Sequence, residues 1–228
     1  MKHIGIVGCS AEGAALCYRT ICSEGAERLG PHIHPDVSMH TPSLSRYVAC
    51  LDAGDMDGVA DLMLDSARRL ERSGADFLIC PDNTIHQAFS LVAVQSPLPW
   101  LHIADAVTDA ALKQGYTKIG ITGTRWLVES SVYPEKLEAA GIGWMRPTPD
   151  EIAETARIIM DELVPGIIRP DSVACFRKVI EGFRDAGCDA VILGCTEIPL
   201  VINDMNSALP VLDSTRLLAR AALDAACA

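Results

Sequence analysis

The sequence predicts an α/β protein made of two related halves, each organised around its own parallel sheet. Short apolar runs alternate along the chain with longer segments of helical periodicity, an order that is typical of parallel strands covered by helices. Segments of the first half also recur in the second. With 228 residues, of which 49% are hydrophobic, the chain can bury the core of one large domain or two small ones.

Four apolar runs have the length and composition of strands that are buried on both faces. They occupy residues 4–7, 77–79, 119–121 and 191–193. Helical patterns lie between them, for example over residues 56–73 and 171–186. Each of the four runs is therefore predicted to be one strand of a parallel sheet.

An internal repeat relates the two halves of the chain. Three segments of the first half recur in the same order in the second: residues 2–9 (KHIGIVGC) as 117–124 (TKIGITGT), 74–79 (GADFLI) as 187–192 (GCDAVI), and 98–101 (LPWL) as 209–212 (LPVL). Three matches in one order indicate two domains of common design. We predict the first domain over residues 1–96 and 210–228, and the second over residues 97–209.

The repeat also aligns two polar segments that follow predicted strands. A shift of 113 positions (195 − 82) lays residues 82–85 (DNTI) over residues 195–198 (CTEI), so that Asp82 and Cys195 become partners. Open parallel sheets bind ligands at the carboxyl ends of their strands, which predicts an active site between the halves. A reaction that removes a proton from one face of a carbon and returns one to the other face needs two such groups.

Charge and hydropathy exclude several classes of function. The chain carries 19 Lys and Arg against 30 Asp and Glu, a net charge of -11, which argues against a general nucleic-acid or membrane-surface binder. No apolar stretch has the length of a signal peptide or a membrane span. We therefore expect a soluble, cytoplasmic protein that binds a small molecule.

The cysteines and histidines give no pattern of a disulfide framework or a metal site. The nine cysteines are odd in number and include no C-x-x-C pair, so we expect reduced thiols. His32 and His34 lie in a proline-bounded loop with no third ligand suggested nearby, and we interpret them as structural. The glycine turn at residues 5–8 lacks the dinucleotide fingerprint and the phosphate-binding loop. We expect no metal and no cofactor.

Two motifs resemble the signature segments of the aspartate/glutamate racemase family: residues 80–86 (CPDNTIH) and 194–198 (GCTEI). The resemblance covers essentially the whole chain and includes residues 4–8 (IGIVG), the Gly123-Thr124 turn with Tyr133 following, and residues 101–105 (LHIAD). It implies two flavodoxin-like domains and a homodimer. It also implies cofactor-independent racemisation of a small acidic amino acid at its α-carbon, with Cys195 as a catalytic residue.

The first motif departs from the pattern of the usual racemase, in which a cysteine directly precedes the Asn-Thr pair. Here Asp82 stands before Asn83, and Cys80 lies two residues earlier. The second acid–base group is therefore Asp82 or Cys80. The wider superfamily leaves other activities open: a decarboxylase in which Cys195 alone protonates an enolate-like intermediate, a cis–trans isomerase of a small dicarboxylate, or a non-catalytic ligand-binding relative.

Each candidate acid–base group has a structural alternative. Cys195 follows a strand and precedes a predicted helix start, where the helix N-terminus favours a thiolate, but a small buried thiol is common in α/β cores. Asp82 is a candidate acid–base group, or else a helix N-cap. We interpret His86, one helical turn beyond Asp82, as a packed residue or one that contacts the catalytic groups.

The candidate substrate-binding residues are polar side chains near strand ends, and a cation. Hydroxyl, amide and backbone donors suited to a carboxylate occur at Asn83, Thr84, Thr124 and Thr196, with helix capping as the alternative. Glu197 is expected to orient a neighbouring group, with helix capping as the alternative, and Ser10 is expected to contact substrate. The resemblance assigns the distal carboxylate to Arg46, with a solvated surface arginine as the alternative, and Arg169 is a second candidate cation.

Overall fold

The computed structural model describes residues 1–228 and confirms an α/β fold with two four-stranded parallel sheets. The chain forms two compact units. The first consists of Met1–Ala106 and Thr215–Ala228, and the second of Val107–Ser214. None of the helices combines the length and the apolarity that crossing a membrane requires.

The first unit holds the strands β1 to β4 and their helices. In chain order these are β1 (Ile4–Val7), α1 (Ala11–Leu29), β2 (Val37–His40), α2 (Leu44–Ala53), α3 (Met56–Arg72), β3 (Phe77–Ile79), a 3₁₀ helix (Thr84–Ala88), α4 (Phe89–Ala93) and β4 (Trp100–Leu101). Helix α5 (Ile103–Gln114) follows, and the boundary between the units lies within it.

The second unit repeats this arrangement with shorter helices. It contains β5 (Lys118–Thr122), α6 (Arg125–Val128), α7 (Pro134–Ala139), β6 (Gly143–Met145), α8 (Pro149–Ile158), a π-helical turn (Ile159–Leu163), α9 (Pro170–Asp185), β7 (Ala190–Leu193), a 3₁₀ helix (Ile198–Leu200) and β8 (Val211–Asp213). The last helix, α10 (Ser214–Cys227), packs on the core of the first unit. All four predicted strands are present.

The two sheets have the same strand order, β2-β1-β3-β4 and β6-β5-β7-β8. Their registers also agree with the internal repeat. Ile4 pairs with Phe77 in the first sheet, and Ile119 pairs with Ala190 in the second. The matched LPWL and LPVL segments likewise form β4 and β8, each pairing with the strand before it. The repeat seen in the sequence is thus a repeat of strand pairing.

In each unit, the same type of turn joins a long helix to the next strand, α3 to β3 and α9 to β7. Gly74 and Gly187 adopt φ values of +87° and +81°, a conformation that favours glycine. Two residues later, Asp76 accepts a hydrogen bond from the His3 amide at 2.7 Å, and Asp189 accepts one from the Lys118 amide at 3.0 Å. The aspartates fix the register of the two central strands.

The units divide later in the chain than residues 97 and 209, the divisions expected from the sequence. Trp100 and Leu101 pair with β3, so this segment belongs to the first sheet. Val211–Asp213 pairs with β7 and belongs to the second. In each half, the segment after β3 or β7 adds the last strand of the same sheet, β4 or β8. The chain passes to the other unit only after that strand.

Candidate active site

In the first unit, the candidate residues follow β3 at the carboxyl edge of the sheet. Asp82 is half-buried, and its Oδ1 accepts a hydrogen bond from the Thr84 amide at 3.2 Å. This bond ties the side chain to the start of the 3₁₀ helix, although Asn83 rather than Asp82 is the cap residue. The capping role and an acid–base role can therefore coexist at Asp82.

His86 lies in that 3₁₀ helix and is buried. Its Nδ1 lies 2.8 Å from the Asp82 carbonyl oxygen, and its Nε2 lies 3.4 Å from the Ile103 amide nitrogen. A carbonyl oxygen only accepts, so Nδ1 carries the proton and Nε2 accepts from the amide. The ring also packs against Phe89 and His102. His86 thus supports the turn that carries Asp82.

Cys80, the alternative to Asp82, is fully buried directly after β3. Its Sγ lies 3.7 Å from the Asp82 carbonyl oxygen and donates toward it. Burial, followed by the negative charge of Asp82, raises the pKa of the Cys80 thiol well above its ordinary value. A thiol that resists ionisation at neutral pH is a poor base.

The other candidates of the first unit lie at the ends of neighbouring strands. Asn83 and Thr84 are buried after β3. Ser10 follows β1, is buried, and caps α1, because its Oγ accepts a hydrogen bond from the Gly13 amide at 3.2 Å. Strands β1 and β3 are adjacent and parallel, so these residues belong to one edge of the sheet.

In the second unit, Cys195 follows β7 after a single glycine. Its Sγ donates a hydrogen bond of 2.9 Å to Glu197 Oε2, and Thr196 Oγ1 donates to the same oxygen at 2.7 Å. All three side chains are buried. The Glu197 carboxylate is therefore placed to accept the thiol proton directly.

Glycine allows the backbone of this site to close up. A Cβ atom at Gly194 would lie 2.5 Å from the Thr122 carbonyl oxygen, so a larger residue would separate the ends of β5 and β7. Thr124 follows β5 and caps α6, with its Oγ1 accepting from the Leu127 amide at 3.2 Å. Since β5 and β7 are adjacent, Thr124 and Cys195 lie at one edge of the second sheet.

The two candidate cations differ in their surroundings. Arg46 lies on α2, is exposed, and is near enough to contribute to lowering the pKa of His40, after the larger effects of burial and Arg69. Arg169 lies 3.8 Å from the buried Glu162, which also binds Arg157 at 2.9 Å. Arg169 is thus engaged in an ion-pair network, whereas Arg46 remains the better candidate for an anionic ligand.

Sequence reasoning missed Tyr47, the residue after Arg46. Its side chain is fully buried, and its hydroxyl has no hydrogen-bond partner. The charges of Cys80, Cys9 and Asp82 all act on it. One tyrosine on an amphipathic helix resembles any core residue in a sequence, so no pattern indicated that the charges of the candidate site act on it.

The family model described as Asp/Glu/Hydantoin racemase matches residues 5–222. The chain belongs to this family. It is 25% identical over 170 residues to the broad specificity amino-acid racemase RacX of Bacillus subtilis, covering 73% of this chain and 71% of RacX. It is 30% identical over 150 residues to a glutamate racemase of Hydrogenobaculum, covering 64% of this chain and 55% of that protein.

Solved structures with a similar fold cover the whole of this chain. A Yersinia pestis protein, named only provisionally as an Asp/Glu racemase, is 33% identical with a TM-score of 0.91, and 100% of each chain is covered. An aspartate racemase homologue from Pyrococcus horikoshii is 28% identical with a TM-score of 0.86, again over 100% of both chains. The family expected from the motifs is confirmed. The protein is an isomerase of the amino-acid racemase class.

Proposed function

We propose that the protein racemises a small acidic amino acid, of the aspartate or glutamate type, by removing and returning its α-proton without a cofactor. The observation that carries the proposal is the Cys195–Glu197 contact at 2.9 Å in the CTEI motif. The names of the relatives support the substrate class, since they include glutamate racemases and an aspartate racemase homologue.

Cys195 is the proposed group for one face of the α-carbon. Glu197 accepts the thiol proton, and the resulting thiolate takes the α-proton, so that the C–H bond breaks and its electron pair remains on the substrate as an enolate-like anion. Such proton transfers require the base to lie within hydrogen-bond reach of the proton it removes. Return of the proton from Cys195 to the same face gives back the original enantiomer.

Asp82 is the proposed group for the other face. Protonated Asp82 gives its proton to the anion and becomes a carboxylate, which inverts the carbon. In the opposite direction the Asp82 carboxylate takes the α-proton and Cys195 gives one back. The buried thiol Cys80 is the weaker alternative, because its pKa is raised by burial.

The remaining polar residues hold the substrate in this scheme. Side-chain and backbone donors at Asn83, Thr84, Thr124 and Thr196 bind the α-carboxylate, where added negative charge develops during proton removal. Ser10 lies on the same edge as Asp82 and is assigned a minor contact. Arg46 binds the distal carboxylate, through a charged hydrogen bond.

The test is to follow exchange and inversion separately in deuterium oxide, starting from each enantiomer of aspartate and of glutamate. Wild-type protein should exchange the α-proton and invert the carbon. Asp82→Ala should abolish inversion while Cys195-dependent exchange continues on one enantiomer, and Asp82→Cys should increase inversion by restoring a pair of thiols. Hydantoins and substituted malonates in the same panel test for another substrate class or for release of carbon dioxide.

Helix capping predicts a different outcome for Asp82. Loss of a cap would cost about 0.5–2 kcal/mol of unfolding free energy in Asp82→Ala, with turnover per folded molecule unchanged. Rates are therefore corrected for the folded fraction, measured by urea unfolding. Unchanged inversion in folded Asp82→Ala would remove Asp82 from the mechanism.

A further inference from the structure

The Thr196 hydroxyl is directed at the carboxylate of Glu197. Its Oγ1 lies 2.7 Å from Glu197 Oε2, which is in the range of a charge-assisted O–H···O⁻ bond. An ionised carboxylate only accepts hydrogen bonds, so the hydroxyl is the donor, and a hydroxyl has a single proton to give. While this bond lasts, any hydrogen bond that Thr196 donates to a substrate carboxylate must come from its backbone amide.

The oxygen that accepts this bond is the one that faces the catalytic thiol. Cys195 Sγ lies 2.9 Å from Glu197 Oε2, on the same atom that Thr196 Oγ1 approaches. All three side chains are buried, and a buried carboxylate depends on such donors because it has lost its hydration. The bond from Thr196 therefore fixes the position of the atom that is proposed to take the thiol proton.

The backbone of this turn anchors Glu197 at its Cα atom but not at its carboxylate. The Ile198 amide donates to the Cys195 carbonyl oxygen at 3.2 Å, and the Leu200 amide to the Glu197 carbonyl oxygen at 3.1 Å. Ile198 is fully buried in the core of the second unit. The Glu197 side chain beyond Cα still has the rotamer freedom of a glutamate, and the bond from Thr196 restricts it at the carboxylate end.

We propose that Thr196 is a positioning residue for Glu197, whose Oε2 it holds against the Cys195 thiol. The inference rests on the proposed role of Glu197 as the acceptor of the thiol proton. In that step the S–H bond breaks, its electron pair stays on sulfur, and the proton joins Oε2. Thr196 keeps its own proton throughout. It acts on the reaction only through the geometry of the acceptor.

The first unit offers a direct comparison, because its acid–base group has no proton to pass on before it acts. A carboxyl group such as that of Asp82 is ordinarily ionised at neutral pH, whereas a thiol is ordinarily protonated. Loss of the Thr196 hydroxyl should therefore slow the proton removal that depends on Cys195. Proton removal by Asp82 should be unaffected.

The test compares Thr196→Val, which removes the hydroxyl but keeps the branched shape, with Thr196→Ser, which keeps the hydroxyl. Exchange of the α-proton without inversion is followed in deuterium oxide for each enantiomer of aspartate and of glutamate. Thr196→Val should slow the exchange that depends on Cys195 about tenfold. KM and the exchange that depends on Asp82 should be unchanged, and Thr196→Ser should exchange at about the wild-type rate.

The same substitution in a Glu197→Gln background shows whether Thr196 acts through Glu197. Glutamine is no base, so holding it in place gains nothing, and Thr196→Val should add little to the loss already caused by Glu197→Gln. An equal loss from Thr196→Val in both backgrounds would overturn the inference, because the hydroxyl would then act independently of Glu197. A higher KM for both enantiomers would overturn it as well, since it would place the hydroxyl on the substrate.

Failure of the proposed function gives a different pattern. If Glu197→Gln exchanges at the wild-type rate, the carboxylate takes no part in the proton transfer, and the contact on which the proposed function rests has failed. If Glu197→Gln is slow while Thr196→Val matches the wild type, only the role of Thr196 is wrong. Urea unfolding of each variant gives the folded fraction by which all rates are corrected.

Discussion

The segments that follow β3 and β7 share a backbone design but differ in chemistry. Both begin where a central strand ends: β3 lies between β1 and β4, and β7 lies between β5 and β8. Both lead into a short 3₁₀ helix. Yet one presents the half-buried carboxyl group of Asp82, and the other the buried thiol of Cys195. The two segments occupy equivalent positions in the two sheets, but the chemical groups at those positions differ.

Under the proposed function, this difference predicts that the two directions of racemisation use unlike bases. An ordinary aspartate has a pKa near 4, and an ordinary cysteine one near 8.5. A carboxylate is abundant at neutral pH but weakly basic, whereas a thiolate is more basic but needs help to form. Variants that change one segment at a time should therefore affect the two directions unequally.

The largest effect is expected for Cys195→Ser. A hydroxyl is a far poorer proton acceptor than a thiol at neutral pH, so turnover should fall by about 10³-fold or more while the fold remains intact. Iodoacetamide should label Cys195, with protection by substrate, in a Cys227→Ser background that removes the exposed cysteine. Full activity of folded Cys195→Ser would disprove the assignment.

Glu197→Gln should have the next largest effect. Glutamine keeps the size of the side chain but is no base, so the Cys195 thiol loses the carboxylate that lies 2.9 Å from its sulfur. We expect exchange dependent on Cys195 to slow by about 100-fold, the lower range for acid–base assistance. Thr196→Ser is the control, since it changes a neighbouring side chain but retains both the hydroxyl donor to Glu197 and the carboxylate. Exchange at the wild-type rate in Glu197→Gln would show that the carboxylate takes no part in the proton transfer.

Much of the fold could be predicted because its determinants are local. Continuous apolar runs identified the strands. The repeated segments indicated that equivalent strands pair in the same way in the two halves, as the structure shows. The division between the units was harder to predict. Strand β4 is only Trp100–Leu101, and nothing in so short a segment shows which sheet it joins.

The candidate site was predictable only where a motif marks it. Cys195 and Asp82 were found from the repeat and the family motifs. The burial of Cys80 and the unpartnered hydroxyl of Tyr47 depend on packing between elements distant in sequence, and no local pattern encodes such packing. The same holds for Arg169, whose engagement with Glu162 depends on how the π-helical turn meets the start of α9.

Arg46→Ala tests whether the substrate is anchored from the first unit. Loss of a charged hydrogen bond should weaken binding of aspartate or glutamate by about 1–3 kcal/mol, seen as a higher KM, with little effect on neutral analogues such as alanine. Arg169→Ala is the matched control, because its guanidinium lies beside Glu162. Equal effects of Arg46→Ala on acidic and neutral substrates would identify Arg46 as a surface residue.

The smallest effect is expected at the aspartates that fix the strand register. Asp189 Oδ2 accepts hydrogen bonds from the Thr117 amide at 2.6 Å, the Thr117 hydroxyl at 2.7 Å and the Lys118 amide at 3.0 Å. The Thr117 hydroxyl and then the two amides lower the pKa of Asp189. A lowered pKa means that the ionised carboxylate stabilises the fold above the unfolded pKa, and that this contribution disappears as the pH falls through the folded pKa.

Asp189→Asn should therefore lower the unfolding free energy at pH 7 by about 1 kcal/mol, the low end for a solvent-screened charged hydrogen bond. The corresponding Asp76→Asn should cost less, because Asp76 Oδ2 accepts the His3 amide where Asp189 gathers three donors. Urea unfolding from pH 7 down to pH 3 checks both. The wild-type protein should lose more stability over this range than Asp189→Asn, since the variant has no carboxylate to protonate. Identical pH slopes for wild type and Asp189→Asn would show that the charge of this carboxylate adds nothing to the turn, and that the geometry of the turn alone fixes the pairing of β5 with β7.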